Sequence, residues 1–277
     1  MSTSPEGCPR IGLLNLMPAP VLLKTEDQWR EGFGVAADIV PVKFDLDPRA
    51  RSGRAARFVA EHTPISDVQD MLDGLIITGA NLEINPDGSP LPFADITYID
   101  QLCEVIDWAE KNTKLTVYSC LASHIALSHL YGLPRDVARE KTFGVYCHEV
   151  RRENELTRGL QFPVRSPHSR WGNVPAKLLE DVGVEVLLDG FEPGWLLAEQ
   201  ARHEFGKSVF LQGHPEYQRE DLAQEYRRDA PKGMNLPENY FPGDDPSQAP
   251  RYSWCETTTQ LFTNMAQTLT DTTAAMG

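Results

Sequence analysis

The stretch from Lys114 to Pro134 most constrains what this chain can fold into. It begins with a short apolar run, Leu115–Tyr118, which has the length of a buried β-strand. After Cys120 the apolar residues recur at helical spacing, and Gly132 and Pro134 then end the helix. The pattern therefore predicts that Cys120 lies at a sharp turn from a strand into a helix.

A cysteine at such a turn can be a nucleophile or a structural residue. Free N–H groups at a helix N-terminus favour the thiolate over the thiol, and the turn exposes the sulfur above the edge of the sheet. A free cysteine is, however, commonly buried and inert. The stretch around Cys120 alone leaves both interpretations open.

Composition excludes several classes of partner. The 277 residues are 41% hydrophobic, which is enough for a substantial core, and their formal net charge is -14. This charge argues against a nucleic acid or an anionic membrane surface as partner, since both require a basic face. No apolar run has membrane-spanning length, and the first residues lack the regions of a signal peptide. The five scattered cysteines indicate neither a disulfide framework nor a metal site, so we expect a cytoplasmic location.

Strand and helix patterns alternate in the first half of the chain. Strands are predicted at Arg10–Met17, Asp38–Phe44 and Asp73–Ala80, with a capped helix start at Thr25 and a helix over Ile96–Glu110. Such alternation predicts an α/β fold, an open and mostly parallel sheet with helices on both faces. No linker or repeat marks a second domain, so residues 1–277 are predicted to form a single domain.

The second half of the chain is less regular. Further strands are predicted at Thr142–Val150, Val184–Leu188 and from Ser208 toward His214, and a helix at Leu222–Asp229. Aromatic residues between about 235 and 265 predict that this segment packs on the core. Residues 268–277 are predicted to be unstructured.

His214 and Glu216 are the candidate partners of a nucleophilic Cys120. Two residues apart in an extended segment, their side chains project to the same side, so that Glu216 can orient the imidazole toward the thiol. A surface histidine beside a solvated carboxylate is the alternative. His124 and His129 follow Cys120 on the predicted helix, and we expect packing or surface roles for them.

Small residues follow the predicted strand that ends near Thr78. The loop with Gly79 and Ala80 can bring backbone N–H groups close to a ligand oxygen. Together with the N–H of Leu121, it predicts an oxyanion hole, and a plain turn is the alternative.

Ordered segments over nearly the whole chain resemble the homoserine O-acyltransferase family of methionine biosynthesis, in particular the members related to homoserine O-succinyltransferase. The main matching segments are Leu14–Pro18, Thr25–Gln28, Asp73–Ala80, Tyr131–Pro134, Gly144–Tyr146, Pro167–Arg170, Gly213–Tyr217, Ala223–Tyr226, Asn239–Pro242 and Leu261–Asn264. The resemblance implies a class I glutamine-amidotransferase-like fold, acyl-CoA as co-substrate with no bound cofactor, a ping-pong mechanism and a homodimer.

The resemblance also implies roles for individual residues. Cys120 falls at the acyl-thioester nucleophile of the family, His214 at its base and Glu216 at the third member of the triad. Substrate-binding positions fall at Lys141, Ser169 and Arg228. Arg228 can clamp an amino-acid carboxylate through two hydrogen bonds, and Glu225 can meet the ammonium group or face solvent. For Lys141 and Ser169, a surface charge and a capping hydroxyl remain the alternatives.

Glu83 bears on the choice of donor. The resemblance implies that glycine at this position accompanies a succinyl donor and glutamate an acetyl donor. A glutamate carboxylate would repel the distal carboxylate of a succinyl group and fill its space. We therefore expect acetyl-CoA as donor, with succinyl-CoA as the alternative.

The chain also departs from the family. Extra residues follow Met17 and fill Asn85–Pro92, directly behind Glu83, while Leu121 replaces a common tryptophan and His124 follows it on the same helix. These changes leave L-serine open as an acceptor beside L-homoserine.

Two other classes of protein remain as alternatives to an acyltransferase. One is a glutamine amidotransferase-like hydrolase, although Tyr118 and Ala122 replace the glycines usual in that class. The other is a catalytically silent binding protein.

Overall fold

One mixed sheet organises the computed structural model, which describes residues 8–51, 53–202 and 206–274. Within these residues the sheet has ten strands: β1 (Arg10–Leu14), β2 (Asp38–Lys43), β3 (Thr63–Pro64), β4 (Gly74–Ile77), β5 (Leu115–Ser119), β6 (Asp136–Val150), β7 (Val164–Asn173), β8 (Glu185–Gly190), β9 (Gly194–Ala201) and β10 (Lys207–Leu211). Across the sheet they lie in the order β3-β2-β1-β4-β5-β10-β9-β8-β6-β7.

Helices connect and cover these strands. They are α1 (Leu22–Phe33), α2 (Ala56–Glu61), α3 (Ile99–Asn112), α4 (Leu121–Tyr131), α5 (Ala176–Asp181), α6 (Asp221–Asp229) and α7 (Cys255–Ala274). Helix α3 buries Leu102, Val105, Ile106 and Ala109, the stripe that its 3.6-residue period predicts. None of the helices in the described part of the chain has the length and apolar character needed to cross a membrane.

The sheet consists of a parallel part and an antiparallel part. Strands β3, β2, β1, β4, β5 and β10 run parallel to one another, and β9, β8, β6 and β7 continue the sheet by antiparallel pairing. The predicted α/β fold with a mostly parallel sheet is confirmed. The sequence pattern does not predict strands β7 and β9. In β7 the buried residues include the polar Ser166, His168, Ser169 and Arg170, which interrupt the apolar pattern of a strand.

Two apolar layers cover the two faces of the parallel part. Successive residues of a strand point to opposite faces, so Leu14 packs with helices α3 and α4 while Leu13 packs with α1 and α7. A third cluster covers the antiparallel part and includes Tyr240, Phe241 and Trp254 from the C-terminal segment. Tyr240 and Trp254 are fully buried, so this segment is packed on the core.

Two predicted boundaries differ from the structure. Helix α1 begins one turn earlier than Thr25, which is itself buried and donates its N–H to the carbonyl of Val21. Helix α7 continues through Ala274, so the prediction of an unstructured end is wrong for residues 268–274. The physical reason is that Leu269 is fully buried against the sheet. Residues 275–277 lie outside the described residues.

Candidate active site

Cys120 lies at the predicted turn between β5 and α4. Its backbone has φ 52° and ψ -116°, a region that residues with a side chain rarely adopt. The N–H of Cys120 donates to the carbonyl of Leu211 at 2.7 Å, and its carbonyl accepts from Ser123 at 3.0 Å. These bonds hold the sulfur at the carboxyl end of the parallel strands, the usual place of ligand sites in such sheets.

His214 lies beside Cys120 because β10 pairs with β5. The two strands are parallel, with Leu211 opposite Ser119, so the residues after both strands meet at one edge. The N–H of His214 donates to the carbonyl of Pro167 at 2.8 Å. Nδ1 of His214 lies 2.8 Å from Oε1 of the buried Glu216, which leaves Nε2 for Cys120. The surface alternative for this pair is wrong.

The protonation of His214 depends on its two neighbours in the site. Burial by itself lowers the pKa of this imidazole, but the Glu216 carboxylate and the Cys120 sulfur raise it well above its ordinary value. The site therefore favours a protonated imidazole beside the sulfur of Cys120. A thiolate is the nucleophilic form of cysteine, so this arrangement suits attack on a carbonyl carbon.

Gly79 packs directly against the turn. A Cβ at this position would lie 3.1 Å from the Cβ of Cys120 and 3.5 Å from the nitrogen of Leu121, so the loop backbone closely approaches the turn that holds Cys120. The N–H groups of Ala80 and Leu121 have no hydrogen-bond acceptor within the part of the chain that the structure describes. Both amides are thus available for a ligand oxygen, and their role in an oxyanion hole stays a prediction.

The carboxylate of Glu225 forms hydrogen bonds with two of the other predicted substrate-binding residues, Lys141 and Ser169. Oε2 accepts from Lys141 Nζ at 3.0 Å and from Ser169 Oγ at 2.5 Å, and Oε1 accepts from the hydroxyl of Tyr217 at 2.7 Å. The Lys141 side chain is only 9% exposed and Ser169 lies inside β7. A solvent-facing Glu225, a surface Lys141 and a capping Ser169 are therefore all wrong.

Glu225 remains ionised in this setting. Burial raises the pKa of the carboxyl, but Lys141 and the hydrogen bonds from Ser169 and Tyr217 outweigh it and lower the pKa below its ordinary value. A carboxylate with these three donors has little capacity left for a further partner.

Arg228 lies at the rim of the same pocket and is already paired. Its Nε donates to Oδ1 of Asp229 at 3.0 Å, and Nη2 donates to the other oxygen of the same carboxylate. The Arg228 side chain is 46% exposed. A two-hydrogen-bond clamp on a substrate carboxylate would thus require release from Asp229.

Glu83 is held by β7 rather than left free in the pocket. Its Oε1 accepts from the N–H of Gly172 at 2.7 Å and its Oε2 from the N–H of Trp171 at 3.0 Å. The extra residues Asn85–Pro92 fold back as a loop in which Leu91 donates to the carbonyl of Glu83 at 3.0 Å. This insertion therefore fixes Glu83 at the pocket wall.

Sequence reasoning misses two side chains of the site. Tyr217 stacks on His214, and Arg170 is 2% exposed and bound to the carbonyls of Gly172 and Pro193. Both belong to segments that carry the family resemblance, Gly213–Tyr217 and Pro167–Arg170. The sequence gives no reason to assign them roles beside the neighbouring His214, Glu216 and Ser169.

The two helix histidines have the expected packing and surface roles. His124 is fully buried, with Nε2 3.1 Å from Oε1 of Gln212, and burial lowers its pKa to about 3. Its uncharged ring packs behind Cys120. His129 forms a surface pair with Asp107 at 2.8 Å.

A cavity of about 840 Å³ brings the predicted residues together. Leu121 and Glu216 are absent from its lining and lie behind Cys120 and His214. The lining includes Gly79, Ala80, Glu83, Cys120, Lys141, Ser169, His214, Tyr217, Glu225 and Arg228. An activated sulfur, a base and a polar recess with both charge signs thus share one cavity, which is suited to acyl transfer between small polar molecules.

Comparison with known proteins identifies the family of this chain. Residues 7–275 match the model of the family described as homoserine O-succinyltransferase. A homoserine O-succinyltransferase of Pseudoalteromonas atlantica is 34% identical over 264 residues, which cover 92% of this chain and 81% of that protein.

Solved structures share the fold at low identity. A GMP synthase-type protein from Thermoplasma acidophilum has a TM-score of 0.57 at 14% identity, covering 97% of this chain and 98% of that one. A glutamine amidotransferase from Methylobacillus flagellatus has a TM-score of 0.52 at 10% identity, covering 97% and 94%. The fold is therefore of the class I glutamine-amidotransferase type.

Proposed function

The chain belongs to the homoserine O-succinyltransferase family, and we propose that it transfers an acyl group from acyl-CoA to the hydroxyl of L-homoserine. The observation that carries this function is the pairing of Cys120 with His214 and Glu216 at the wall of a cavity large enough for a thioester and an amino acid. The name of the Pseudoalteromonas relative supports homoserine as acceptor.

In the first half-reaction, the thiolate of Cys120 attacks the carbonyl carbon of the acyl-CoA thioester. The tetrahedral intermediate collapses with cleavage of the bond from carbon to the CoA sulfur, and the departing thiolate takes the proton from the imidazolium of His214. We expect the N–H groups of Ala80 and Leu121 to receive the negative oxygen of that intermediate, because neither donates to an acceptor among the described residues.

In the second half-reaction, neutral His214 accepts the proton of the homoserine hydroxyl as its oxygen attacks the acyl–Cys120 carbonyl. The ester leaves and the thiolate–imidazolium pair is restored. Acylation removes the negative charge of the sulfur, one of the two anions that raise the pKa of His214. The ring therefore becomes a base when the acceptor hydroxyl must be deprotonated.

The acceptor is proposed to bind in the recess around Glu225. Arg228 lines this cavity and would bind the carboxylate of the acceptor once substrate displaces Asp229. Ser169 and Lys141 would then face the acceptor while remaining bonded to Glu225. L-serine is shorter by one methylene, so its hydroxyl would fall short of the thioester if its carboxylate bound at the same place.

Succinyl-CoA is the donor that the relatives favour. The matched family and the Pseudoalteromonas protein both carry the succinyl name, and the comparisons do not support the acetyl expectation drawn from Glu83. The structure weakens the basis of that expectation, because two backbone N–H groups already bind the Glu83 carboxylate. Acetyl-CoA stays the second candidate, since Glu83 still occupies space at the cavity wall.

Product mass after incubation with each donor and each acceptor tests these assignments. We expect O-succinylhomoserine as the main product and a Cys120 peptide that gains the acyl mass when the acceptor is omitted. Cys120→Ala is the matched control and should give neither. Glutaminase activity without acyl transfer would overturn the function in favour of a glutamine amidotransferase, and the absence of any acylated Cys120 would favour a silent binding protein.

A further inference from the structure

Tyr217 lies between His214, the proposed base, and Glu225, the carboxylate of the proposed acceptor recess. Its ring stacks on the imidazole of His214, with centroids 4.3 Å apart and planes inclined by 21°. Its hydroxyl donates to Oε1 of Glu225 at 2.7 Å. One side chain therefore contacts both the proposed base and the carboxylate at the centre of the acceptor recess.

The position of Tyr217 does not depend on its hydroxyl. Its N–H donates to the carbonyl of His214 at 3.1 Å, and its own carbonyl accepts from Nε1 of Trp254 at 2.7 Å. The residue is 9% exposed and belongs to the apolar cluster that also holds Leu222 and Tyr240. Loss of the hydroxyl alone would thus leave the ring in place.

The hydroxyl keeps its proton under working conditions. Burial and the adjacent carboxylate of Glu225 raise the pKa of Tyr217 well above its ordinary value. Tyr217 therefore acts as a hydrogen-bond donor and neither as a base nor as a charge.

A single hydrogen bond does not fix the plane of an imidazole. The bond from Nδ1 to Glu216 sets the direction of the ring, but it allows the ring to rotate about that direction. A stacked aromatic ring removes this freedom, and its negative face also favours the protonated imidazole. His214 must hold its plane through both half-reactions, because Nε2 serves the CoA sulfur first and the acceptor hydroxyl afterwards.

We propose that Tyr217 is a positioning residue for His214, which rests on the proposed acyltransferase function. Its ring holds the imidazole plane with Nε2 toward Cys120, and its hydroxyl links that plane to Glu225 in the acceptor recess. The two contacts serve different half-reactions. The ring is needed whenever His214 moves a proton, and the link to Glu225 is needed when the acceptor is bound.

Two substitutions separate these contacts. Tyr217→Phe removes only the hydroxyl, and Tyr217→Leu removes the stacked ring. Acylation of Cys120 is measured by rapid quench and mass spectrometry, and transfer to homoserine is measured from the preformed acyl-enzyme. We expect Tyr217→Phe to acylate within about threefold of wild type but to transfer about tenfold more slowly, and Tyr217→Leu to lose about 100-fold in both steps.

Tyr226→Phe is the matched control, since Tyr226 packs against the same cluster and makes no ring stack with His214 among the described residues. It should leave both half-reactions unchanged. The NMR shift of the His214 ring proton reports the stack in each folded variant, and the ring-current shift should persist in Tyr217→Phe and disappear in Tyr217→Leu. Wild-type acylation by a folded Tyr217→Leu, or equal losses in both steps for Tyr217→Phe, would overturn the assignment.

A second measurement distinguishes failure of the proposed acyltransferase function from failure of the positioning role of Tyr217. Alkylation of Cys120 by iodoacetamide depends on the thiolate and its imidazolium partner but not on any acyl donor. Tyr217→Leu should slow this alkylation about tenfold at pH 7 even if no acyl-CoA is a substrate. An unchanged alkylation rate in that variant would refute the positioning role by a route independent of the function.

Discussion

The backbone of Cys120 is strained where the proposed chemistry occurs. A positive φ of 52° costs on the order of 1–3 kcal/mol for a residue with a side chain. The cost is tolerated because β5, β10 and helix α4 all bond to the turn. The turn places Cys120, which is only 5% exposed, in the lining of the same cavity as His214.

The pKa of His214 should respond to the charge on residue 120. Removal of the sulfur by Cys120→Ala eliminates one of the two groups that raise this pKa, so we expect a lower value than in wild type. The nearby ring of His168 is neutral, because burial holds its pKa well below its ordinary value. NMR titration of the histidine ring signals measures the change.

Glu216→Gln is the companion variant for this titration, and it should lower the pKa of His214 as well. His214→Asn assigns the signal. An unchanged or higher pKa in Cys120→Ala would contradict the thiolate–imidazolium pair.

At the scale of elements, helix α7 closes one face of the parallel part of the sheet. It contributes Leu261, Phe262, Met265 and Leu269 to the layer that also holds β1 and β5 residues. The sequence near the end of this helix is polar and rich in threonine, and Leu269 is the one strongly apolar residue among its last buried residues. For this reason the sequence pattern does not predict that the end of α7 packs against the sheet.

Leu269→Ala should destabilise the protein by about 2–4 kcal/mol, since it leaves a cavity under a fully buried side chain. Urea unfolding followed by tryptophan fluorescence measures the loss. Gln267→Ala, two residues earlier on the exposed side of the same helix, is the control and should change stability by less than about 0.5 kcal/mol. Equal effects of the two substitutions would show that α7 does not close the core.

At the scale of the whole molecule, the candidate site forms where the parallel and antiparallel parts of the sheet meet. Cys120 and His214 follow parallel strands, whereas Lys141 and Ser169 lie on β6 and β7 of the antiparallel part. Glu225 on α6 joins the two parts through its ion pair and hydrogen bonds. Catalytic and binding groups thus depend on the docking of these two parts.

Glu225→Gln should destabilise the whole fold at pH 7 by about 3 kcal/mol, because it leaves the Lys141 ammonium buried without its partner. The folded-state pKa of Glu225 lies below its ordinary value, so its contribution is present above about pH 4.5 and disappears as pH falls through the lowered pKa. The difference between wild type and variant should therefore shrink in acid.

Urea unfolding at pH 7 and at pH 3.5 measures this difference. Glu220→Gln removes a half-exposed carboxylate just before the same helix and should cost less than about 1 kcal/mol at either pH. A stability gap for Glu225→Gln that widens in acid would contradict an ionised Glu225.

Local sequence determined the parts of this protein that follow from short-range physics. The change from strand to helical spacing placed Cys120 at its turn. Glu216 does contact His214, but the predicted extended segment is wrong: residues 214–217 form a turn closed by the Tyr217 N–H and the His214 carbonyl at 3.1 Å. Alternating patterns also gave the class of the sheet. Each of these depends on backbone geometry over a few residues, which the local order of apolar and polar side chains largely decides.

Only the tertiary structure decided which polar groups form hydrogen bonds and ion pairs with one another. Glu83 bonds to amides 88 and 89 residues away, and Glu225 bonds to Lys141 from 84 residues away. These contacts set whether a carboxylate is free, paired or buried, and no local pattern contains that information. Strand register and the docking of the antiparallel strands create these long-range contacts. A buried polar group in a low-dielectric interior must form hydrogen bonds, and the fold decides which partner lies within bonding distance.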